Sequence, residues 1–145
     1  MSAKHALLPL GIALSLALTG CSSETSGQTA EAAETVEQSA VVDVTVAEAK
    51  ALIDGEGSVV VLDVRTPEEF AEGHIEGALN VDFRSDNFAE ELAELDRDQR
   101  HIVHCRSGRR SSASMEVFEE LGFTDIQHMF EGFNGWQDAE LPIAR

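Results

Sequence analysis

The sequence predicts an α/β domain with a mostly parallel sheet flanked by helices. Residues 58–64 form a continuous apolar run of strand length, which is typical of a strand covered on both faces. Segments with strand and helix patterns then alternate along the chain. Such alternation favours parallel strands, because each crossover between them is usually a helix.

The first elements in chain order are two helices on either side of that strand. A helix is predicted over 47–54, where apolar residues recur at helical spacing. Pro67 suits a first helical turn after the possible cap Thr66, so a short helix begins there. Residues 78–81 are a short strand candidate, and residues 88–95 form a helix with large apolar residues on one face.

The second half of the domain continues the alternation. A strand over 102–104 leads at once into a helix over about 109–121. Gly122 stands where a left-handed C-cap is expected, and Phe123 could then pack back on the helix. A last strand is predicted over 125–129.

The first 20 residues indicate a targeting segment. Lys4 precedes an apolar run over 6–18, which has signal-peptide length and is shorter than the roughly 20 residues that span a bilayer. The run ends in Leu18-Thr19-Gly20-Cys21, which resembles a bacterial lipoprotein signal. The resemblance implies cleavage before Cys21, a lipid on its sulfur, and an extracytoplasmic protein anchored at the cell envelope, facing the periplasm in a Gram-negative cell. The alternative is a secreted protein with an incidental cysteine.

The next segment is predicted to be a tether. Between residues 22 and 40 the composition is polar and acidic, with Val36 as the only large aliphatic residue and no aromatic residue. Such a segment cannot bury enough apolar surface to fold. The chain is therefore divided into a signal peptide (1–20), a lipidated cysteine with a disordered tether (21–40) and one folded domain (41–145).

The charge balance excludes one class of partner. The chain has 27 acidic and 10 basic side chains, for a net charge of −17. A surface of this sign repels nucleic acid and anionic headgroups, so nucleic-acid binding is not expected and membrane contact is assigned to the lipid alone. Solubility or a saline habitat explains the acidity.

Cys105 is the one cysteine left for the folded domain. If Cys21 carries lipid, Cys105 is unpaired in a compartment where exported proteins usually form disulfides. Such a thiol can be oxidised or capped, which favours a chemical task for it. The alternative is burial as an inert, small hydrophobic residue.

The position of Cys105 favours the chemical task. It lies between a strand and the helix that follows, where ligands bind in parallel sheets. Gly108 allows a turn in which successive amides point inward and form a nest for an anion. The helix N-terminus adds partial positive charge, so a thiolate is favoured over a thiol.

Charges on the following helix support anion binding. Arg109 and Arg110 lie at its start and glutamates lie toward its end, the reverse of what the helix dipole prefers. Together with Arg106 they place three basic residues within six positions of Cys105 on an acidic chain. Binding of a small anion beside the sulfur explains this arrangement. The alternative is that the arginines pair with surface carboxylates.

Three motifs in order resemble those of rhodanese domains. They are Leu62-Asp63-Val64-Arg65-Thr66-Pro67-Glu68-Glu69-Phe70 continued by Gly73-His74-Ile75-Glu76-Gly77-Ala78-Leu79-Asn80, then His104-Cys105-Arg106-Ser107-Gly108-Arg109-Arg110-Ser111, then Gly132-Phe133-Asn134-Gly135-Trp136. Glu131 stands where many members have another glycine. The likeness covers nearly all of 43–140 and implies a rhodanese-like three-layer fold.

The resemblance implies a sulfurtransferase. The Cys105 thiolate attacks the outer sulfur of a donor such as thiosulfate, and a thiophilic acceptor, cyanide or a thiol, removes that sulfur from the resulting persulfide. It also implies that the anion is bound by the loop residues Arg106, Ser107, Gly108, Arg109 and Arg110. Ser107 departs from members with a second basic residue, which leaves the donor open. No cofactor is implied, and a monomer is expected.

Other polar residues of the motifs are expected to be structural. Arg65 could pair with Asp63 or Glu69 and fix the turn after the strand. His101 and His104 lie three positions apart on one strand, so their rings should point to opposite faces. A metal site is therefore not expected.

Two other functions compete with sulfur transfer. Phosphatase and arsenate-reductase loops have five residues between the cysteine and an arginine that closes around a tetrahedral dianion. Here three residues precede Arg109, four precede Arg110, and Ser111 follows after five, so the ring is one residue short. A non-enzymatic persulfide carrier or binding module, tethered at the membrane, would use the same Cys105.

Overall fold

The computed structural model describes residues 40–55 and 57–145. The signal peptide, Cys21 and all but the last residue of the tether lie outside the described residues, so those expectations stay predictions. Among the helices of the described residues, none has the length and apolar character needed to cross a bilayer.

Five parallel strands form one sheet in the order β1-β5-β4-β2-β3. The α/β class with a parallel sheet is therefore confirmed. The strands are β1 (Val41–Val44), β2 (Val59–Asp63), β3 (Leu79–Asn80), β4 (Arg100–His104) and β5 (Ile126–Met129). The helices are α1 (Val46–Asp54), α2 (Pro67–Glu72), α3 (Phe88–Ala93), α4 (Arg109–Glu120) and α5 (Gly132–Asp138).

The sheet is covered on both faces, which gives three layers. Side chains of the internal strand β2 alternate, with Leu62 in one core cluster and Val61 in the other. The first cluster includes Phe118 of α4 together with apolar residues of α3. The second includes Trp136 of α5 together with apolar residues of α1. Burial on both faces explains why the central strands are continuous apolar runs.

Local capping signals in the sequence are confirmed. Thr66 accepts a hydrogen bond from the amide of Glu69, and the Glu69 side chain accepts one from the amide of Thr66, which is a capping box. Gly122 has φ 79°, and the amide of Phe123 donates to the Phe118 carbonyl. The two rings lie edge to face, with centroids 5.1 Å apart.

The orientation of the β4 histidines is also confirmed. His101 meets Phe123 edge to face on the side of the first cluster. His104 stacks near Phe133 on the side of the second cluster. The two rings therefore lie on opposite faces of the sheet.

Two elements were not among the predictions. Strand β1 has four residues and contains Asp43, and it is held at the sheet edge by pairing with β5. Helix α5 contains Gly132 and Gly135, and glycine is a poor helix former. In both elements long-range contacts outweigh weak local preference.

Candidate active site

Cys105 follows the last residue of β4 at the carboxyl end of the sheet. It is only 1% exposed, and its side chain lies at the base of a surface pocket. Helix α4 begins four positions later, with Gly108 at its N-cap. We call residues 105–111 the Cys105 loop.

The Cys105 loop directs several hydrogen-bond donors at the sulfur. Burial raises the pKa of the Cys105 thiol, but the amides of Ser111, Ser107 and Arg110 and the Ser111 hydroxyl all lower it. The Ser111 Oγ lies 3.5 Å from the Cys105 Sγ. The donors outweigh burial, so the pKa is held below that of an ordinary cysteine. The thiolate is the nucleophilic form of cysteine, and this site favours it.

Gly108 makes the loop conformation possible. Its φ of 81° lies in the left-handed region, where a side chain is strained. A Cβ at this position would also lie 2.1 Å from the carbonyl oxygen of Phe130. Both constraints exclude any other residue unless the backbone moves, and they keep the loop amides turned toward the sulfur.

The start of α5 holds the other side of the loop. The amide of Phe133 donates to the Cys105 carbonyl at 2.8 Å, and the amide of Asn134 donates to the Arg106 carbonyl at 2.9 Å. Gly132 has φ 65°, and a Cβ there would lie 2.7 Å from the Arg106 carbonyl oxygen. Because the carbonyls of these peptides are fixed outward, the loop amides are left to face the sulfur. The glycine motif is visible in the sequence, but its contact with the Cys105 loop is not, because the two segments are far apart along the chain.

Arg65 and Asp63 form a buried ion pair behind the site. The Arg65 Nη2 lies 2.6 Å from Asp63 Oδ2 and also donates to the Gly73 carbonyl at 2.7 Å. The guanidinium carbon lies 4.1 Å from the centre of the Phe133 ring. The expected pairing of Arg65 with Asp63 is confirmed, and it ties β2 to α5.

Glu69 pairs with Arg110 rather than with Arg65. The Arg110 guanidinium donates to both carboxylate oxygens of Glu69, at 2.6 and 2.8 Å. These hydrogen bonds lower the pKa of Glu69 to about 2. The alternative that the loop arginines pair with carboxylates is therefore correct for the Arg110 side chain. Its amide still faces the sulfur, and contact with Cys105 contributes to the raised pKa of Arg110 after the larger effect of Glu69.

The pocket above Cys105 is lined by three exposed arginines, Arg84, Arg106 and Arg109. Within residues 40–55 and 57–145, none of these three side chains forms an ion pair. Ser107 lines the same pocket, and Gly108 is buried beside it. Arg84 comes from the connection between β3 and α3. Arg84 was not among the predicted site residues, because no local motif marks its approach to Cys105.

Comparison with protein families matches residues 45–139 to the Rhodanese-like domain. Thiosulfate sulfurtransferase GlpE of Shewanella oneidensis is 33% identical over 82 residues, which cover 57% of this chain and 79% of that protein. Thiosulfate sulfurtransferase PspE of Escherichia coli is 30% identical over 81 residues, which cover 56% and 74%.

Solved structures of rhodanese-like proteins also resemble this chain. A rhodanese-related protein from Thermoplasma volcanium is 28% identical with a TM-score of 0.62, covering 70% of this chain and 96% of that chain. A rhodanese-like domain protein from Staphylococcus aureus is also 28% identical, with a TM-score of 0.61 and coverage of 71% and 98%. The three-layer arrangement is therefore shared with both structures.

Proposed function

Since this chain belongs to the rhodanese-like family, we propose that it transfers sulfane sulfur from thiosulfate or a similar donor to cyanide or a thiol. The reacting atom in this proposal is the sulfur of Cys105. The observation that supports it most directly is the set of three amides and one hydroxyl that lower the pKa of this thiol. Relatives named thiosulfate sulfurtransferase support the choice of donor.

The proposed reaction has two steps. The Cys105 thiolate attacks the outer sulfur of thiosulfate, the sulfur–sulfur bond of the donor breaks, and sulfite leaves with the bonding electron pair. The outer sulfur stays on Cys105 as a persulfide. The acceptor then attacks that sulfur, and the Cys105 thiolate is restored as the leaving group. Nucleophilic catalysis of this kind needs no separate base once the thiol is ionised.

The arginines around the pocket bind the donor in this scheme. Thiosulfate is a dianion, and Arg84, Arg106 and Arg109 line the pocket without carboxylate partners in the described part of the chain. Arg110 has a different task, because its guanidinium already pairs with Glu69. It positions the loop, and its amide hydrogen-bonds to the sulfur.

The test is persulfide formation on the full-length chain. Incubation with thiosulfate should add the mass of one sulfur atom to the protein, and cyanide should remove it as thiocyanate. Cys105→Ser should abolish the gain, whereas the matched Cys21→Ser variant should retain it. No gain with thiosulfate or other sulfane donors would favour a binding module. Loading without repeated turnover would favour a persulfide carrier, and hydrolysis of aryl phosphates would favour a phosphatase.

We also propose that the chain is anchored to the bacterial cell envelope through lipid on Cys21. The supporting observation is the sequence Leu18-Thr19-Gly20-Cys21 after an apolar run. Labelled fatty acid should be incorporated into the protein in bacterial cells, and Cys21→Ser should abolish the label while leaving sulfur transfer intact. Incorporation that persists in this variant would contradict the proposal.

A further inference from the structure

A chain of hydrogen bonds leads from the Cys105 sulfur to the edge of the sheet. The Ser111 hydroxyl contacts the sulfur at 3.5 Å, and its oxygen also lies 3.0 Å from His128 Nε2. On the other side of the ring, His128 Nδ1 lies 2.7 Å from Asp43 Oδ1. These residues come from α4, β5 and β1, and the chain joins positions as far as 85 residues apart.

Ser111 does not act as a nucleophile of its own in this arrangement. A serine, a histidine and an aspartate in sequence can activate the serine hydroxyl when a substrate reaches it. Here Ser111 is completely buried, and its hydroxyl also contacts the Gly108 carbonyl at 3.0 Å. The group it can influence is therefore the sulfur of Cys105.

The number of protons on Ser111 limits what the hydroxyl can do. A serine hydroxyl has one hydrogen to donate and lone pairs that accept. The Asp43 carboxylate only accepts, so it fixes a proton on His128 Nδ1. In a neutral ring, Nε2 is then an acceptor, and it competes with the sulfur and the Gly108 carbonyl for the Ser111 hydrogen. In a protonated ring, Nε2 donates to the Ser111 oxygen, so that only the sulfur and the Gly108 carbonyl compete for the Ser111 hydrogen.

We propose that His128 is a positioning residue whose Nε2 proton determines whether the Ser111 hydroxyl donates to the Cys105 sulfur. The proposal depends on the proposed function only in taking Cys105 as the reacting group. Protonation of His128 stabilises the thiolate through this hydrogen bond, and loss of the proton redirects the hydroxyl to the ring.

Few charged side chains lie near His128 in the described part of the chain. In the described part of the chain, Asp43 of β1 contacts the ring, and Arg109 at the start of α4 lines the same surface pocket. The Ser111 hydroxyl contacts both the Cys105 sulfur and the ring. On β4, the residue in register with His128 is Val103, which carries no charge.

The test measures the contribution of the Ser111 hydroxyl to thiolate reactivity at each pH. The full-length chain and its Ser111→Ala variant are alkylated with iodoacetamide, and Cys105 is followed in the tryptic peptide 101–106. The ratio of the two rates is taken only at pH values below the alkylation midpoints of both chains, where each rate is proportional to its thiolate fraction. It should be roughly tenfold at the acidic end of that range, equivalent to about one pKa unit of Cys105, and should fall as pH rises within it. Ser112→Ala is the matched control, since this exposed neighbour on α4 should leave the rate unchanged.

Two variants test whether the pH dependence comes from His128. In a His128→Phe background, the ratio over the same pH range should be constant, because the ring can neither donate nor accept. In an Asp43→Ala background, the fall should be weaker, because a neutral ring without this carboxylate can carry its hydrogen on Nε2 and donate to the Ser111 oxygen. The Asp43 side chain is 71% exposed, so this variant keeps the test open if the buried His128 substitution fails to fold.

The proposal is overturned if, below the alkylation midpoints, the ratio does not vary with pH in the unsubstituted chain, or if it varies as much in the His128→Phe background. Alkylation needs no sulfur donor, so its outcome is independent of sulfur transfer. Persulfide loading, measured in parallel, separates the two proposals. If Cys105 is loaded with sulfur but the rate ratio does not depend on pH, only the proposed role of His128 is contradicted. If the ratio depends on pH but no sulfur is loaded, only the proposed function is contradicted.

Discussion

Replacing Gly108 with alanine should damage both the stability of the domain and the reactivity of Cys105. The residue has φ 81°, and left-handed backbone costs an alanine about 1–2 kcal/mol. The new Cβ would lie 2.1 Å from the Phe130 carbonyl oxygen, so the backbone must shift, which typically costs another 1–3 kcal/mol. The expected loss in the free energy of unfolding is therefore about 2–5 kcal/mol.

A matched control separates the two costs. Gly122 has nearly the same φ, 79°, but no atom lies within 4 Å of the position that its Cβ would take. Gly122→Ala should therefore lose only the backbone cost of about 1–2 kcal/mol. Urea unfolding of both variants gives the difference, which reports the clash with Phe130 alone.

The same substitution should raise the pKa of Cys105. Relief of the clash turns the peptides of the loop, and the amides of Ser107, Arg110 and Ser111 then lose their alignment with the sulfur. The pH profile of iodoacetamide alkylation should shift upward for Gly108→Ala and stay in place for Gly122→Ala. If Gly108→Ala unfolds no more easily than Gly122→Ala and alkylates with the same profile, then Gly108 does not hold the loop amides toward the sulfur.

Three further predictions concern the charged residues around the loop. Arg65→Ala leaves the Asp63 carboxylate buried without its partner and should cost about 3–5 kcal/mol in urea unfolding. Glu69 has a pKa lowered from 4.5 to about 2. Its contribution to stability is therefore complete above pH 4.5 and is lost as pH falls toward 2. Glu69→Gln should remove this part of the acid dependence of the urea midpoint. Arg84→Gln should raise the KM for thiosulfate roughly fivefold, about 1 kcal/mol, with little change in unfolding, whereas Arg97→Gln, an exposed arginine outside the pocket, should not.

Each of these predictions has an outcome that contradicts it. An Arg65→Ala variant as stable as Arg100→Ala, which breaks only a partly exposed pair with Asp125, would show that the buried pair adds no more than a surface pair does. A Glu69→Gln variant with the acid dependence of the unsubstituted chain would place the acid-sensitive carboxylate elsewhere. Equal KM values for the Arg84 and Arg97 variants would remove Arg84 from the donor pocket.

Most of the fold could be predicted because its signals are local. The apolar run of β2 shows burial on both faces, and the pair Thr66-Pro67 determines where α2 begins. Elements of weak local preference could not be predicted in the same way. Strand β1 forms because β5 offers it a partner, and α5 forms despite two glycines because it packs against the Cys105 loop and the second core cluster.

The sequence by itself determined that Cys105 follows a buried strand, that Gly108 turns the chain, and that basic residues surround the thiol, because these are relations between neighbours. Only the tertiary structure decided which donors the sulfur meets and which arginines stay unpaired in the described chain. Arg110 is occupied by Glu69, 41 positions away, and Ser111 is linked through His128 to Asp43, across separations of 17 and 85 positions. Contacts of that range depend on strand order and helix packing, and no local pattern encodes them.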